Sequence, residues 1–338
     1  MHALHLNIYV TDFCNRKCSY CYNPYNNMGN MEMSVAKDIG NWVGKATHDA
    51  RVKNFRCHFL GGEPFINLNS VFTIIEIIDN NYNIPASSDG KYVIFTNGDY
   101  LTDQNLRELK NRKVLIYLHC LEDLPINELE KRILLVKNIH HGCALSIVID
   151  ESPLDRFREI IKLAIKHKCH PRMNALYKVN PEYVSEYKKI YREKIRLALD
   201  LIYNSDFVVY PNFLQSDLYI TWDKIGVNPH FCGKCFYVID SVGKIRTCTI
   251  PDDSNRTEYS VYNCTTWKDI NFVHKHKVDN DDCNSCKWVT WCQGGCPVRR
   301  KIAKVEKTYL CDIYKETFPI MFELKNRWEN RRLCHVPI

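Results

Sequence analysis

The stretch Thr11-Asp-Phe-Cys14-Asn-Arg-Lys-Cys18-Ser-Tyr-Cys21 follows directly on the apolar run His5 to Val10. Three thiols at spacing CxxxCxxC, on the turn that leaves a strand, provide three metal ligands and leave one position open. A structural zinc site closes with four ligands, and no fourth lies nearby. An iron cluster instead keeps a free iron for a substrate, which makes iron the better reading of this triple.

Working outward, short apolar, β-branched runs alternate with stretches of helical period from Leu4 to about Lys178, the pattern of βα units around a parallel sheet. Strands are expected at His5 to Val10, Asn54 to Leu60, Tyr92 to Thr96, Val114 to Leu118, Ala144 to Ile149 and Arg172 to Tyr177. Helices should begin near Ser34, Leu68, Thr102, Ile126, Pro153 and Pro181; the fifth has Ser152 as cap, Pro153 in its first turn and Asp155 near the positive end of the dipole. Six βα units are two short of a closed barrel. The fold expected is α/β, a partial (β/α)6 TIM-type barrel, open at one side to a large substrate, with its active site at the C-terminal strand ends. The barrel should occupy 1–204, a linker 205–230, a small cysteine-rich domain 231–320 and a helix or tail 321–338. The cysteine-rich part has too few apolar runs for a large core, so metal would have to organise it.

The chain of 338 residues is 45% hydrophobic and 25% charged, a globular composition. No run approaches the roughly 18 apolar residues of a membrane span, and the N-terminus lacks the pattern of a signal peptide, so the expectation is a cytoplasmic protein without a membrane partner. Seventeen cysteines without an export signal point to metal ligation, because the cytosol keeps thiols reduced. A net charge of +7 raises the question of nucleic acid. Eleven thiolates on three oxidised [4Fe-4S] cores would bring that charge to about +2. Arg299, Arg300 and Lys301 then read as a solvated helix face, and nucleic acid has little support.

The aromatic Tyr20 before the third cysteine, Gly61-Gly-Glu-Pro64 after the second strand, Thr96-Asn-Gly98 after the third and the Leu145 to Asp150 strand together resemble the radical S-adenosylmethionine (SAM) superfamily. The resemblance implies a [4Fe-4S] cluster on Cys14, Cys18 and Cys21 whose open iron chelates the amino and carboxylate groups of SAM. It further implies that Gly61, Gly62 and Glu63 contact the methionyl amine, with Tyr20, Thr96 and Asn97 in the same cofactor-binding set. His119 joins that set at the position where many relatives carry serine or aspartate.

Cys232-x10-Gly243-x4-Cys248, then Cys283-x2-Cys286-x5-Cys292-x3-Cys296, then Cys311, resembles the seven-cysteine pattern of the SPASM domain, which carries auxiliary [4Fe-4S] clusters. By that resemblance one auxiliary cluster takes Cys283, Cys286, Cys292 and Cys311. The other takes Cys232, Cys248 and Cys296, and either Cys235 is its fourth ligand or one iron is open. Trp288, Trp291 and Tyr309 read as packing that excludes water from the clusters. Cys57, Cys120, Cys143, Cys169, Cys264 and Cys334 are by default inert thiols, although Cys120 at a strand end is a candidate hydrogen-atom donor.

The chemistry the resemblance implies is one-electron cleavage of SAM to a 5'-deoxyadenosyl radical that abstracts a substrate hydrogen, with the auxiliary clusters accepting an electron so that the reaction is an oxidation. SPASM relatives mostly modify peptides or proteins, so a precursor peptide is the first substrate expected and flavodoxin or ferredoxin the electron donor. The first strand starts by residue 5, so a leader-binding domain is expected to be absent or on another chain. Thr249 stands where sulfatase-maturing relatives can carry an acidic residue after the GX4C cysteine, which disfavours that subclass. Two alternatives are a sugar or cyclitol dehydrogenase or epimerase and, without catalysis, a zinc-stabilised nucleic-acid-binding module.

Overall fold

A computed structural model describes residues 3–23, 29–87, 90–140, 142–209, 235–249, 258–270, 280–292 and 294–334. The strands are β1 (Ala3–Thr11), β2 (Asn54–Gly61), β3 (Tyr92–Thr96), β4 (Val114–His119), β5 (Cys143–Ile149), β6 (His170–Ala175), β7 (Phe236–Ile239) and β8 (Ile245–Arg246). They form one unclosed sheet in the order β6-β5-β4-β3-β2-β1-β7-β8. The pairings are parallel except for the antiparallel β7 with β8. Helices α1 (Met33–Asp49), α2 (Leu68–Asn81), α3 (Asp103–Asn111), α4 (Ile126–Ile139), α5 (Leu154–Lys166) and α6 (Val184–Tyr203) follow the first six strands in turn. The fold is therefore the α/β partial barrel expected, followed by the cysteine-rich segment with α7 (Asp281–Asn284), α8 (Val289–Cys292), α9 (Pro297–Ala303) and α10 (Cys311–Cys334). Among the described residues no helix is long and apolar enough to cross a membrane.

Three details differ from the sequence reading. β6 begins two residues earlier than expected because Pro171 lies inside it, which an edge strand tolerates. Ser152 does not cap α5: the N-cap is Pro153, and the Ser152 hydroxyl instead accepts a hydrogen bond from Lys194 Nζ at 3.0 Å. The four-residue strand β7 adds a further parallel rung beside β1, from the segment assigned to the cysteine-rich part.

The chain divides into two compact units. The first comprises Met1–His119, Leu134–Cys143 and Phe231–His274. Alternation along its strands sends Leu4, Leu6, Ile8 and Val10 of β1, and Phe55, Cys57 and Phe59 of β2, into one core with Ile39 and Val43 of α1 and Ile74 and Ile78 of α2. The opposite face is polar: Arg56 Nε donates to His58 Nε2 at 2.9 Å, and Arg56 also donates to the Tyr117 hydroxyl at 2.7 Å. Trp267 stacks on Tyr237 at 4.9 Å and donates to Thr47 Oγ1 of α1 at 3.3 Å, which fixes the segment after β8 against α1.

The second unit comprises Cys120–Ile133, Ala144–His230 and Lys275–Ile338. Its fixed point is Tyr187 of α6, fully buried, whose hydroxyl accepts from Leu176 N at 2.7 Å and donates to Ile149 O at 3.0 Å. The buried Lys194 caps β5 in the same way, donating to Asp150 O at 2.7 Å. A ladder of charge joins α6 to α10: Lys188 and Arg192 meet Asp312, Arg196 meets Glu316 at 2.7 Å, and Arg327 lies 4.0 Å from the Tyr203 ring centre. Exposed pairs of this kind each contribute about 0–1 kcal/mol, so the ladder sets orientation more than stability. Replacing Tyr187 by Phe leaves the buried Ile149 carbonyl and the half-buried Leu176 N–H without that partner and should cost about 1–3 kcal/mol, read as a lower denaturant midpoint at unchanged slope.

Candidate active site at the cysteine loop

The CxxxCxxC loop leaves the C-terminal end of β1 and lies against the Gly61-Gly62-Glu63 backbone at the end of β2. Gly62 N donates to Thr11 O, and Glu63 N donates to Phe13 O, each at 2.8 Å. These two peptide bonds leave no space for side chains. A Cβ on Gly61, whose φ is +146°, would lie 2.0 Å from Thr11 O, and one on Gly62 2.0 Å from Phe13 O. The glycines are required here because two backbones touch.

Glu63, 1% exposed, turns its carboxylate inward. Its oxygens accept hydrogen bonds from Phe65 N at 3.1 Å, Thr96 Oγ1 at 2.8 Å and Asn97 N at 2.7 Å. Burial pushes its pKa up to about 7 against the pull of these three donors. The Glu63 side chain thus joins the end of β2 to the end of β3. Thr96 and Asn97 are brought to the same place.

Cys14 and Cys21 are solvent-exposed and Cys18 is half-buried, on a turn closed by Cys21 N donating to Cys18 O at 3.1 Å. The Cys14 sulfur accepts from Arg16 N at 3.4 Å and has the Asn97 amide nitrogen at 4.0 Å. Desolvation on its protein side raises the Cys14 thiol pKa, and the charges of Glu63 and Cys21 raise it further, while the Arg16 and Asn97 donors lower it. Tyr20 and His119 meet edge to face with centroids 6.0 Å apart, so both expected cofactor residues belong to this corner. Three thiols on one loop, with N–H donors on one sulfur and an outer side open to solvent, fit a cluster with one free iron. Asn15, Arg16 and Asp99, unmarked in the sequence reading, complete the corner: Asp99 accepts from Asn15 Nδ2 at 2.6 Å and from Arg16 Nη2 at 2.7 Å.

In the second unit, Cys283 is buried, and Cys286, Cys292 and Cys311 are half-buried. Burial pushes the Cys292 thiol up to about 12, and Cys311, Cys283 and Cys286 push it in the same direction, so the four thiols lie within one another's electrostatic reach. Trp288 packs on Phe322 at 5.6 Å and Phe318 at 5.0 Å beside them, as expected of a water-excluding wall. A cavity of about 550 Å³ opens at Cys311 between Lys188, Lys307, Thr308, Tyr309 and Asp312. Among the described residues no three His, Cys, Asp or Glu side chains converge on the position of a single metal ion. Of the other expected ligands, Cys235 is half-buried before β7, Cys248 is buried after β8, Cys296 is half-buried at the start of α9, and Cys232 lies outside the described residues. Cys120 is buried, its N–H donates to Ser146 O at 2.9 Å, and burial drives its thiol pKa upward, which keeps it protonated.

Residues 8–193 match the model of the radical SAM superfamily. The chain belongs to that superfamily and is a radical SAM enzyme, a family that implies a [4Fe-4S] cluster and SAM. It is similar in fold to native anSMEcpe with bound AdoMet and Cp18Cys peptide, at 22% identity and a TM-score of 0.71, over 97% of this chain and 99% of that one. It is also similar to Streptococcus suis SuiB bound to S-adenosylmethionine, at 17% identity and a TM-score of 0.65, over 92% of this chain and 77% of that one. An uncharacterised protein of Methanocaldococcus jannaschii is 26% identical over 125 residues, a stretch that spans 37% of this chain and 41% of that relative.

Two outcomes follow from the glycine contact and the buried carboxylate. Gly62→Ala should displace the cysteine loop and lower the iron bound after reconstitution by about four per chain, with far-ultraviolet dichroism unchanged. In metal-free protein, Glu63 has a folded pKa near 7, above its ordinary value of 4.5. Its contribution to stability is therefore full below about pH 4.5 and is lost as pH rises through about 7. Glu63→Gln should flatten that decline in a pH series of thermal midpoints.

Proposed function

We propose that the protein is a peptide-modifying radical SAM enzyme carrying three [4Fe-4S] clusters. One sits on Cys14, Cys18 and Cys21, one on Cys283, Cys286, Cys292 and Cys311, and one on Cys232, Cys248 and Cys296 with Cys235 as fourth ligand. The observation that carries this reading is the gathering of the Cys283 quartet: burial, with the neighbouring cysteines of the quartet, raises the Cys283 and Cys292 thiols, so a shared cation is needed to hold them as thiolates. The cluster and SAM together supply one-electron cleavage of SAM and hydrogen abstraction from a substrate carbon.

This chain's own residues do the rest. The Gly62 and Glu63 peptides fix the loop, Asn97 and Arg16 direct N–H groups at Cys14, and Tyr20 with His119 walls the SAM corner. A cluster held by the Cys283 quartet would supply the acceptor for one electron from the substrate, so that the product would be an oxidised peptide, such as a cross-link. Two of the similar structures support a peptide substrate, anSMEcpe holding Cp18Cys peptide and SuiB holding precursor peptide SuiA. Flavodoxin or ferredoxin is the proposed electron source, and a reducing cytoplasm keeps the seventeen cysteines available.

Anaerobically reconstituted protein should hold about twelve iron per chain, about four fewer in the Cys14, Cys18 and Cys21 to Ala variant, and should release 5'-deoxyadenosine from SAM under dithionite. Incubation with a precursor peptide should remove two hydrogens per modification. Zinc in place of iron, without broad absorption near 400 nm, would overturn the proposal.

A further inference from the structure

Asp99 organises two of the groups that reach Cys14. Its Oδ2 accepts from Asn15 Nδ2 at 2.6 Å and Arg16 Nε at 2.5 Å, and its Oδ1 accepts from Arg16 Nη2 at 2.7 Å. The guanidinium is thereby held in a fork, with side-chain exposures of 25% for Arg16 and 15% for Asp99. Fixing Asn15 and Arg16 fixes the peptide between them, whose N–H is the 3.4 Å donor to the Cys14 sulfur. The Asp99 backbone acts from the other side. Its N–H donates to Asn97 Oδ1 at 2.8 Å, which turns the amide so that Nδ2 faces Asn15 Oδ1 at 2.8 Å and Cys14 Sγ at 4.0 Å.

The geometry points to Asp99 as a positioning residue that sets the hydrogen bonding of the Cys14 sulfur, and through it the reduction potential and retention of the SAM-binding cluster. This rests on the cluster assignment above. N–H donors to a cluster sulfur favour the more negative, reduced state, so their loss lowers the potential. Hydrogen bonds behind a metal ligand commonly govern affinity by 10- to 100-fold when removed. The carboxylate is needed for its two-oxygen grip on Arg16 and Asn15 together. Asn at 99 offers one acceptor oxygen and, in place of the other, a donor that opposes the guanidinium.

The test uses full-length holoprotein with Asp99→Asn, Asp99→Glu and Arg16→Gln variants. The electron paramagnetic resonance signal that changes on SAM addition identifies the cluster concerned, and redox titration gives its potential. Asp99→Asn and Arg16→Gln should retain the quartet's iron and the wild-type thermal midpoint. They should show a more negative potential for the SAM-responsive cluster and lose its iron to a chelator about tenfold faster. Asp99→Glu, which keeps the charge, should restore part of both. Full iron with an unchanged potential in both variants would overturn the assignment, and so would a fall in thermal midpoint or iron content without a shift in potential. Wild-type protein lacking any SAM-responsive signal would instead remove the cluster assignment itself, so the two failures are distinct. If Asp99→Asn does not fold, Arg16→Gln, which keeps every backbone N–H, decides the matter.

Discussion

Two peptide hydrogen bonds between the Gly62-Glu63 backbone and the cysteine loop are the constraint from which the site follows. They form only where no Cβ intervenes, and they carry the Glu63 carboxylate into the protein, where Phe65 N and donors from the end of β3 satisfy it. A buried carboxylate without such donors costs several kcal/mol, so the three elements are held or lost together. The loop that carries Cys14, Cys18 and Cys21 has no regular structure of its own. Its shape is borrowed from β2 and β3.

The cysteine-rich part of the second unit borrows in a different way. α7 and α8 are four residues each, far below the length at which a helix stands alone in water. Hydrogen bonds within them are few, and the Trp288, Phe318 and Phe322 packing together with the ladder between α6 and α10 provides the lateral support. Burial and the neighbouring cysteines favour the protonated forms of Cys283 and Cys292 in this region. The barrel strands answer to ordinary core packing, whereas the cysteine segment has only this short aromatic and charged support.

The sheet was legible because each of its first six strands is a continuous short run between turn signals, and the helices have clear apolar stripes. β7 was not, since four residues among cysteines carry too little pattern to be separated from their surroundings. Pro171 hid the true start of β6, and Ser152 imitated a cap while serving Lys194. At the site the cysteines and glycines announced themselves through spacing, and the need for close backbone approach was readable, but its partner was not. The hydrogen bonds that the Glu63 carboxylate makes to Thr96 and Asn97 were not readable, because they join the ends of two strands that no local pattern links. Arg16 and Asp99, 83 residues apart, meet only when the loop docks on the end of β3, and no local pattern joins them.

The solvent exposure of Cys14 and Cys21 has a cost apart from catalysis. A corner that must receive SAM from solution cannot be sealed, and the same opening admits dioxygen and peroxide. Cys14 and Cys21, open to solvent, are then the thiols most accessible to oxidation. The working life of the protein in air is then governed by thiol chemistry at three residues, and a melting temperature measured on the intact fold says little about it.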